Sequence, residues 1–162
     1  MINGATNTVD RLDAHNPSTI TKINSIDISA YGNSPTSVSV HSHLVAVATT
    51  AKTSNQDKGH IIFFNTDGTY INAIEVGYLP DMVTFTPDGS KVVVANEGEP
   101  SPLYDIDPVG SISIIDISNG VENATQTELT FDNYNNKKAH LLNKGVRITG
   151  YNNPSVAQDL EP

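Results

Sequence analysis

The stretch LPDMVTFTPDGSKVVVANEGE, residues 79–99, decides the fold of this chain. Two apolar runs, 82–86 and 91–96, flank the turn sequence Pro87-Asp88-Gly89-Ser90. Proline presets the first turn position, the aspartate side chain can cap the backbone that follows it, and glycine tolerates the positive φ that closes the turn. The three valines at 92–94 are typical of a strand that is covered on both faces. The stretch therefore predicts a β-hairpin with a buried second strand.

The composition predicts an all-β protein and excludes several functions. The chain has 162 residues, of which only 17% are charged, and it is rich in turn-forming and β-branched residues. This mixture favours short strands. A net charge of −9 argues against nucleic acid, because phosphates would be repelled. The chain has no cysteine, which excludes disulfides, thiolate metal sites and thiol catalysis. No apolar run reaches the ~18 residues of a membrane span.

Internal repetition sets the organisation of the chain. KINSIDIS at 22–29 resembles YINAIEVG at 70–77, Ser34-Pro35 resembles Leu79-Pro80, and GHII at 59–62 resembles GSIS at 110–113. The three offsets are 48, 45 and 51 residues. Four antiparallel strands that repeat at this interval are the pattern of a β-propeller blade. A β-sandwich also uses short strands, but it does not require the repeat.

The repeat divides the chain into four units. Residues 1–29 are expected to hold the last strands of a partial blade, residues 30–77 and 78–131 two complete blades, and residues 132–162 a loop and a short helix near 139–144 that lead to the next blade. A second turn is expected at 150–154. The predicted strands are 1–3 as a remnant, 6–13 and 21–28; then 35–40, 43–49, 59–65 and 69–76; then 80–86, 91–96, 110–117 and 125–131.

Two complete blades and part of a third are too few to close a propeller, which needs at least about four blades. We therefore expect an all-β partial propeller that is a fragment of a larger one, with the remaining blades of the parent chain as its partners. Pairing between chains is the alternative. Under the fragment interpretation Met1 is an internal residue. The absence of a signal peptide in the following INGATNT then carries no information.

Several segments resemble the choice-of-anchor I family, which includes the mesenchyme-specific cell-surface-glycoprotein-like proteins. The resemblance is carried by LPDMVTFTPDGSKVVVANEGEP at 79–100, DPVGSISIIDIS at 107–118, GVRI at 145–148 and AQDLEP at 157–162, with SIDISAYG at 25–32 and HLVAVAT at 43–49. It implies a seven-bladed propeller related to the YVTN-type repeats. It also implies a secreted or surface-attached bacterial protein. Some bacterial members carry alkaline phosphatase-like or phytase-like descriptions, which suggests phosphoesterase chemistry.

An acidic loop after the second hairpin strand is the candidate site. Asn96, Glu97, Glu99, Asp105 and Asp107 place five oxygen-bearing side chains within twelve residues, and Ca²⁺ prefers six to eight oxygen ligands. The loop therefore predicts a calcium site completed by other blades, and Asp159 and Glu161 are expected to join it. A solvated acidic loop is the plainer interpretation, and Glu97 or Glu99 as a general base is a third.

Other polar residues are weaker candidates. His41 and His43 would share a face of a strand, as metal ligands can, but they occupy a turn and no third ligand is evident. Asp13, Asn65 and Asp116 fall at equivalent ends of third strands, where polar side chains usually cap the next turn.

Two functions follow from these observations. The first is a non-catalytic binding or scaffold propeller of a secreted or cell-surface protein, with an unknown extracellular ligand or protein as its partner. The second is a calcium-dependent phosphoesterase whose site is shared between blades. An intracellular interaction propeller is a third class, and an upstream signal peptide would argue against it.

Overall fold

The computed structural model describes residues 1–148 and 154–160. Within these ranges eleven strands form three antiparallel sheets. The sheets contain three, four and four strands, and each follows the chain order from strand to neighbouring strand. The first sheet is β1 (Ile2–Asn3), β2 (Thr8–Asp13) and β3 (Thr21–Asp27); the second is β4 (Pro35–His41), β5 (Leu44–Thr49), β6 (Lys58–Asn65) and β7 (Tyr70–Tyr78); the third is β8 (Pro80–Phe85), β9 (Lys91–Asn96), β10 (Ser111–Asp116) and β11 (Thr125–Thr130).

The turn between β8 and β9 has the chemistry that its sequence predicts. Gly89 adopts a φ of +69°, and its amide donates to the carbonyl of Thr86 at 2.8 Å. The Asp88 carboxylate accepts from the backbone amide of Ser90 at 3.1 Å and from the Thr86 hydroxyl at 2.6 Å. These bonds, with the Thr86 hydroxyl as the largest cause, lower the pKa of Asp88 to about 2. The hydrogen bonds that close the turn are therefore local, as the sequence predicts.

The second sheet is buried on both faces because its residues alternate between two cores. One core contains Val9 of the first sheet and Ile28, the residue after β3. They pack with four residues of the second sheet: Val45, Val47, Ile62 and Phe64. Residues 46, 48, 61 and 63 point the other way because strand side chains alternate. They pack with the third sheet through Val83, Val92, Val94 and Ile115. The run IIFF at 61–64 is therefore apolar throughout.

This stacking confirms the predicted fold class. Meandering antiparallel sheets lie face to face like the blades of a propeller, and the three described sheets do not close into a ring. The first and third sheets lie within the predicted units 1–29 and 78–131, and the second sheet extends one residue, Tyr78, beyond the predicted unit 30–77. The unit boundaries stay predictions. The blade number of a closed ring also stays a prediction.

Two short helices follow the third sheet. Helix α1 (Lys138–Asn143) matches the predicted helical turn, and Gly145 after it has a φ of +83°. Helix α2 (Val156–Asp159) is not predicted by the sequence reading. The turn expected at 150–154 lies almost entirely outside the described residues. Short 3-10 turns occur at Val121–Asn123 and Asp132–Tyr134.

A polar network joins the second and third sheets at the end of β9. The fully buried Asn96 donates to the hydroxyls of Ser111 at 3.1 Å and Ser113 at 2.9 Å. Ser111 donates to Glu128 at 2.8 Å, and Lys58 of the second sheet pairs with Glu128 at 3.0 Å. The hydrogen bond to Glu128 is the largest cause that raises the pKa of Lys58. The network thus fixes how the two sheets meet at this end.

The described helices are all short. In residues 1–148 and 154–160, none has the length and apolar character needed to cross a membrane.

Candidate functional site

The acidic loop between β9 and β10 begins with a tight return of the chain. Glu97 and Gly98 donate their amides to the carbonyls of Leu79 and Tyr78, at 2.9 and 3.1 Å. Gly98 has a φ of +70°, and a Cβ at this position would lie 2.6 Å from the carbonyl carbon of Val109. The two arms of the loop therefore approach so closely that only glycine fits between them.

The middle of the loop is organised by one serine. The Ser101 hydroxyl accepts from the amides of Asp105 and Ile106, both at 3.2 Å, and donates to the Asp105 carboxylate. The Ser101 amide donates to the Ile106 carbonyl at 2.8 Å. The bond from the Ser101 hydroxyl is the main cause that lowers the pKa of Asp105. The Asp105 carboxylate is therefore engaged within its own turn.

Helix α2 closes the other side of the loop. Ser155 and Gln158 form a capping box: the Ser155 hydroxyl accepts the Gln158 amide at 3.2 Å, and the Gln158 side chain accepts the Ser155 amide at 2.8 Å. The same Gln158 donates from Nε2 to the Asp107 carbonyl at 2.6 Å. A second hydrogen bond connects the helix to the segment after β11, where the Asn135 side chain accepts the Ala157 amide at 2.8 Å. The helix is thus held against the acidic loop.

A cleft of about 340 Å³ lies between the loop and the helix. Two stretches separated by some fifty residues meet in it, and four carboxylates line its walls. The lining residues are Glu97, Glu99, Pro100, Ser101, Pro102, Tyr104, Asp107, Pro154, Gln158 and Asp159.

Negative charge is crowded at one wall of this cleft. Burial is the main cause that raises the pKa of Asp107, and the negative charge of Asp159 adds to it. Both effects disfavour the ionised form of Asp107. A cation in the cleft would favour that form, so the electrostatics of the wall suit a positively charged ligand.

The structure divides the predicted site residues into two groups. Glu97, Glu99 and Asp107 line the cleft, and Asp159 joins them across it. Asn96 is turned into the space between the sheets and does not line the cleft, and Asp105 binds Ser101 instead. Glu161 lies outside the described residues.

The sequence reading missed Gln158, which ties the helix to the loop, and Tyr104, which lines the cleft with a φ of +56°. A signal for Gln158 exists: Ser155-x-x-Gln158 is the pattern of a capping box. It predicts the start of a helix at 156. No comparable local signal places Tyr104.

The side chains of the cleft carry the type of oxygen that Ca²⁺ binds, but they are not arranged around one point. Carboxylate oxygens are the ligands that Ca²⁺ prefers. However, within residues 1–148 and 154–160 no three His, Asp or Glu side chains are gathered closely enough to hold a metal ion. The carboxylates stand on the walls of the cleft rather than around one point.

Of the two histidines at the turn between β4 and β5, one packs and the other is exposed. His41 ends β4, and its ring lies 5.8 Å from the ring of Phe85, centroid to centroid. A Cβ on Gly89 would lie 2.4 Å from Nε2 of His41. His43 is exposed in the turn that follows. The two rings therefore do not share the environment that a paired metal site requires.

The family model of the choice-of-anchor I domain matches residues 1–162. This chain belongs to the choice-of-anchor I family. A search of curated proteins finds no match to it. Membership of the choice-of-anchor I family indicates a domain connected with surface anchoring, in a cell-surface or extracellular bacterial protein.

Proposed function

We propose that this choice-of-anchor I domain is a non-catalytic binding scaffold of a secreted or cell-surface protein, and that the acidic cleft is its binding site. One observation carries the proposal: loop 97–107 and helix α2 meet at one end of the stacked sheets and enclose the cleft. Loops held at the ends of a rigid β scaffold are common binding sites. The partner in this proposal is an extracellular ligand or protein that presents positive charge.

Calcium is the simplest ligand for the cleft. Glu97, Glu99 and Asp107 from the loop, with Asp159 from α2, stand on the walls of the cleft and would have to move together around the ion, with water completing the coordination. Because Asp107 has a raised pKa, cation and proton compete for it. Calcium affinity is therefore expected to rise with pH until Asp107 is fully ionised.

Isothermal titration calorimetry with CaCl₂ tests the cleft. The double variant Glu99→Gln with Asp107→Asn is expected to weaken binding by about tenfold or more, since two anionic ligands are lost. Glu122→Gln, at an exposed carboxylate outside the cleft, is the matched control and should bind like the wild type. No heat of binding in the wild type, or equal loss in the control, would contradict calcium as the ligand.

A calcium-dependent phosphoesterase is the second candidate. The observation that favours it is the meeting of Glu97, Glu99, Asp107 and Asp159 in one cleft, because carboxylates that bind a cation can support metal-assisted hydrolysis. Hydrolysis of p-nitrophenyl phosphate with and without calcium separates the two functions. Turnover that requires calcium and disappears in Glu97→Gln would replace the scaffold proposal, whereas binding without turnover supports it.

A further inference from the structure

A second cavity, of about 520 Å³, lies on the second sheet and shares no lining residue with the acidic cleft. Its floor includes His60 of β6 and Glu75 of β7, which are directly paired in the sheet. Because strand side chains alternate in direction, His60 points to the same side as Ile62 and Phe64, which pack toward the first sheet. The cavity therefore opens at the end of the interface between the first and second sheets.

Two connections form the walls of this cavity. One is the segment after β3, where the ring of Tyr31 stacks on the ring of Tyr70 with centroids 4.7 Å apart. The other is the connection at 50–57, where the Thr53 hydroxyl donates to the Asp57 carboxylate at 2.5 Å. Segments that are distant in sequence thus meet at one place, and each is held by contacts of its own.

Opposite charges line the cavity without pairing across it. Lys52 on the wall and Glu75 on the floor are both exposed, and no ion pair in residues 1–148 and 154–160 involves either of them. Lys58 also lines the cavity, but its ammonium pairs with Glu128 at 3.0 Å. Lys52 and Glu75 are therefore available to a ligand that carries charges of both signs.

The imidazole on the floor has an unsatisfied nitrogen. His60 lies between Thr49 and Glu75 in the sheet, and its Nδ1 is buried without a hydrogen-bond partner. A buried polar atom without a partner is uncommon and costs free energy. A half-turn of the ring would direct Nδ1 toward the cavity, where a polar group of a ligand would satisfy it.

We propose that this cavity binds a small zwitterion, namely a free α-amino acid with an aliphatic side chain. The carboxylate of the ligand pairs with Lys52, and its ammonium group pairs with Glu75. The methyl groups of Ala30, Ala51 and Ala73, which also line the cavity, contact the aliphatic side chain. The volume is in the usual range for small-molecule sites, and a ligand of a single charge would leave one of the two charged side chains without a partner. This inference is independent of the acidic cleft and of its ligand.

L-Leucine is the probe for a direct test, and it is titrated into the isotope-labelled chain while the amide chemical shifts are followed by NMR. Saturable shifts are expected for the amides of 51–58 and 73–75, with a dissociation constant in the millimolar range or below. Leucinamide lacks the carboxylate, and N-acetyl-leucine lacks the ammonium group. Each analogue should bind about tenfold or more weakly than leucine, because each loses one charged contact.

Two variants assign the charges of the ligand to their partners. Glu75→Gln should weaken leucine binding about tenfold and leave the affinity for N-acetyl-leucine unchanged, since that analogue has no ammonium group for Glu75 to bind. Lys52→Gln should weaken leucine binding similarly and leave the affinity for leucinamide unchanged. The matched control is Lys138→Gln with Glu122→Gln, at exposed positions outside the cavity, and it should bind leucine like the wild type.

Several results would overturn the proposal. One is the absence of saturable shifts with leucine, and another is an equal affinity for leucine and for either analogue. Equal losses in the control variant would attribute the binding to the overall charge of the chain. Shifts confined to 97–107 would place leucine in the acidic cleft instead.

Discussion

Single atoms decide how closely the second and third sheets approach. A Cβ on Gly77 of β7 would lie 2.5 Å from the Ser111 hydroxyl and 2.6 Å from Cγ of Asn96. Distances this short require the buried network at the end of β9 to move. The sheet interface therefore depends on the absence of one methyl group.

We expect Gly77→Ala to lower the free energy of unfolding by about 1–3 kcal/mol, the usual range for overpacking a core. Urea denaturation followed by circular dichroism measures the change. Gly4→Ala is the control, because its Cβ would meet only the Ser34 hydroxyl at 3.3 Å, and a loss within about 0.5 kcal/mol is expected there. Equal losses at the two glycines would argue against the close approach at Gly77.

Two aspartates of the acidic loop should respond oppositely to pH. The raised pKa of Asp107 means that its contribution to stability is full below the unfolded pKa of about 3.9 and is lost as pH rises. Asp107→Asn should therefore raise the melting temperature at pH 7 and leave it unchanged at pH 3. The lowered pKa of Asp105 predicts the reverse: Asp105→Asn should lower the melting temperature at pH 7, with the difference fading as pH falls. Melting curves at both pH values decide the signs.

The orientation of Asn96 could have been derived from the sequence. Strand side chains alternate in direction, so Asn96 shares its face with Val92 and Val94, both fully buried. The prediction that Asn96 is a ligand in the loop does not take this alternation of side chains into account. The expectation that Asp159 joins the loop is met in the cleft. Asp159 and Asp107 are 52 positions apart, and helix α2 brings them together rather than any local rule.

At the scale of strands and helices, the alternation of apolar residues was enough to predict most elements. Strand β6 is Lys58–Asn65 where 59–65 was predicted, and β9 matches 91–96. Helix α2 was missed because its four residues are too few to display a period, and the capping-box pattern Ser155-x-x-Gln158 was the one local signal for it. It is stabilised by the capping box and by the bond from Gln158 to the Asp107 carbonyl, and the second of these is a tertiary contact.

Equivalent strands of the second and third sheets should differ in their tolerance of truncation. Ile61 on β6 is fully buried, whereas its equivalent Ile112 on β10 is partly exposed. Ile61→Ala is expected to cost about 2–5 kcal/mol, the range for cavities in a core. Ile112→Ala should cost about 1 kcal/mol because less area is buried. Chemical denaturation of the matched pair measures both losses, and a larger loss at Ile112 would contradict the difference in burial between the two strands.

For the whole molecule, stability should be graded across the stack. The second sheet is covered on both faces, whereas β3 of the first sheet is exposed along most of its length. Native-state hydrogen exchange is expected to be slowest for the amides of β5 and β6 and fastest, among the strands, for β3, because exposed edges open locally. Uniform protection across the three sheets would indicate a single cooperative unit instead.

The overall arrangement was predictable because the repeat imposes it. Sequence echoes at 22–29 and 70–77, and at 59–62 and 110–113, predict equivalent strands, and equivalent apolar strands must cover one another. The cleft was less predictable, since it forms where the loop at 97–107 meets a helix that follows the repeat. Its carboxylates are visible in the sequence, but their convergence depends on the path of the chain after β11.

The connection between the second and third sheets is a single residue, Leu79, with a φ of +47° and a carbonyl that accepts the Glu97 amide. Proteases require a segment that can detach and extend into their active sites. Leu79 offers no such segment, because strands bind the chain on both sides of it. Limited trypsin digestion should therefore cut after Lys52 in the connection at 50–57, and elastase-like digestion should cut in the connections at 50–57 and 97–110, while the two sheets stay covalently joined at Leu79.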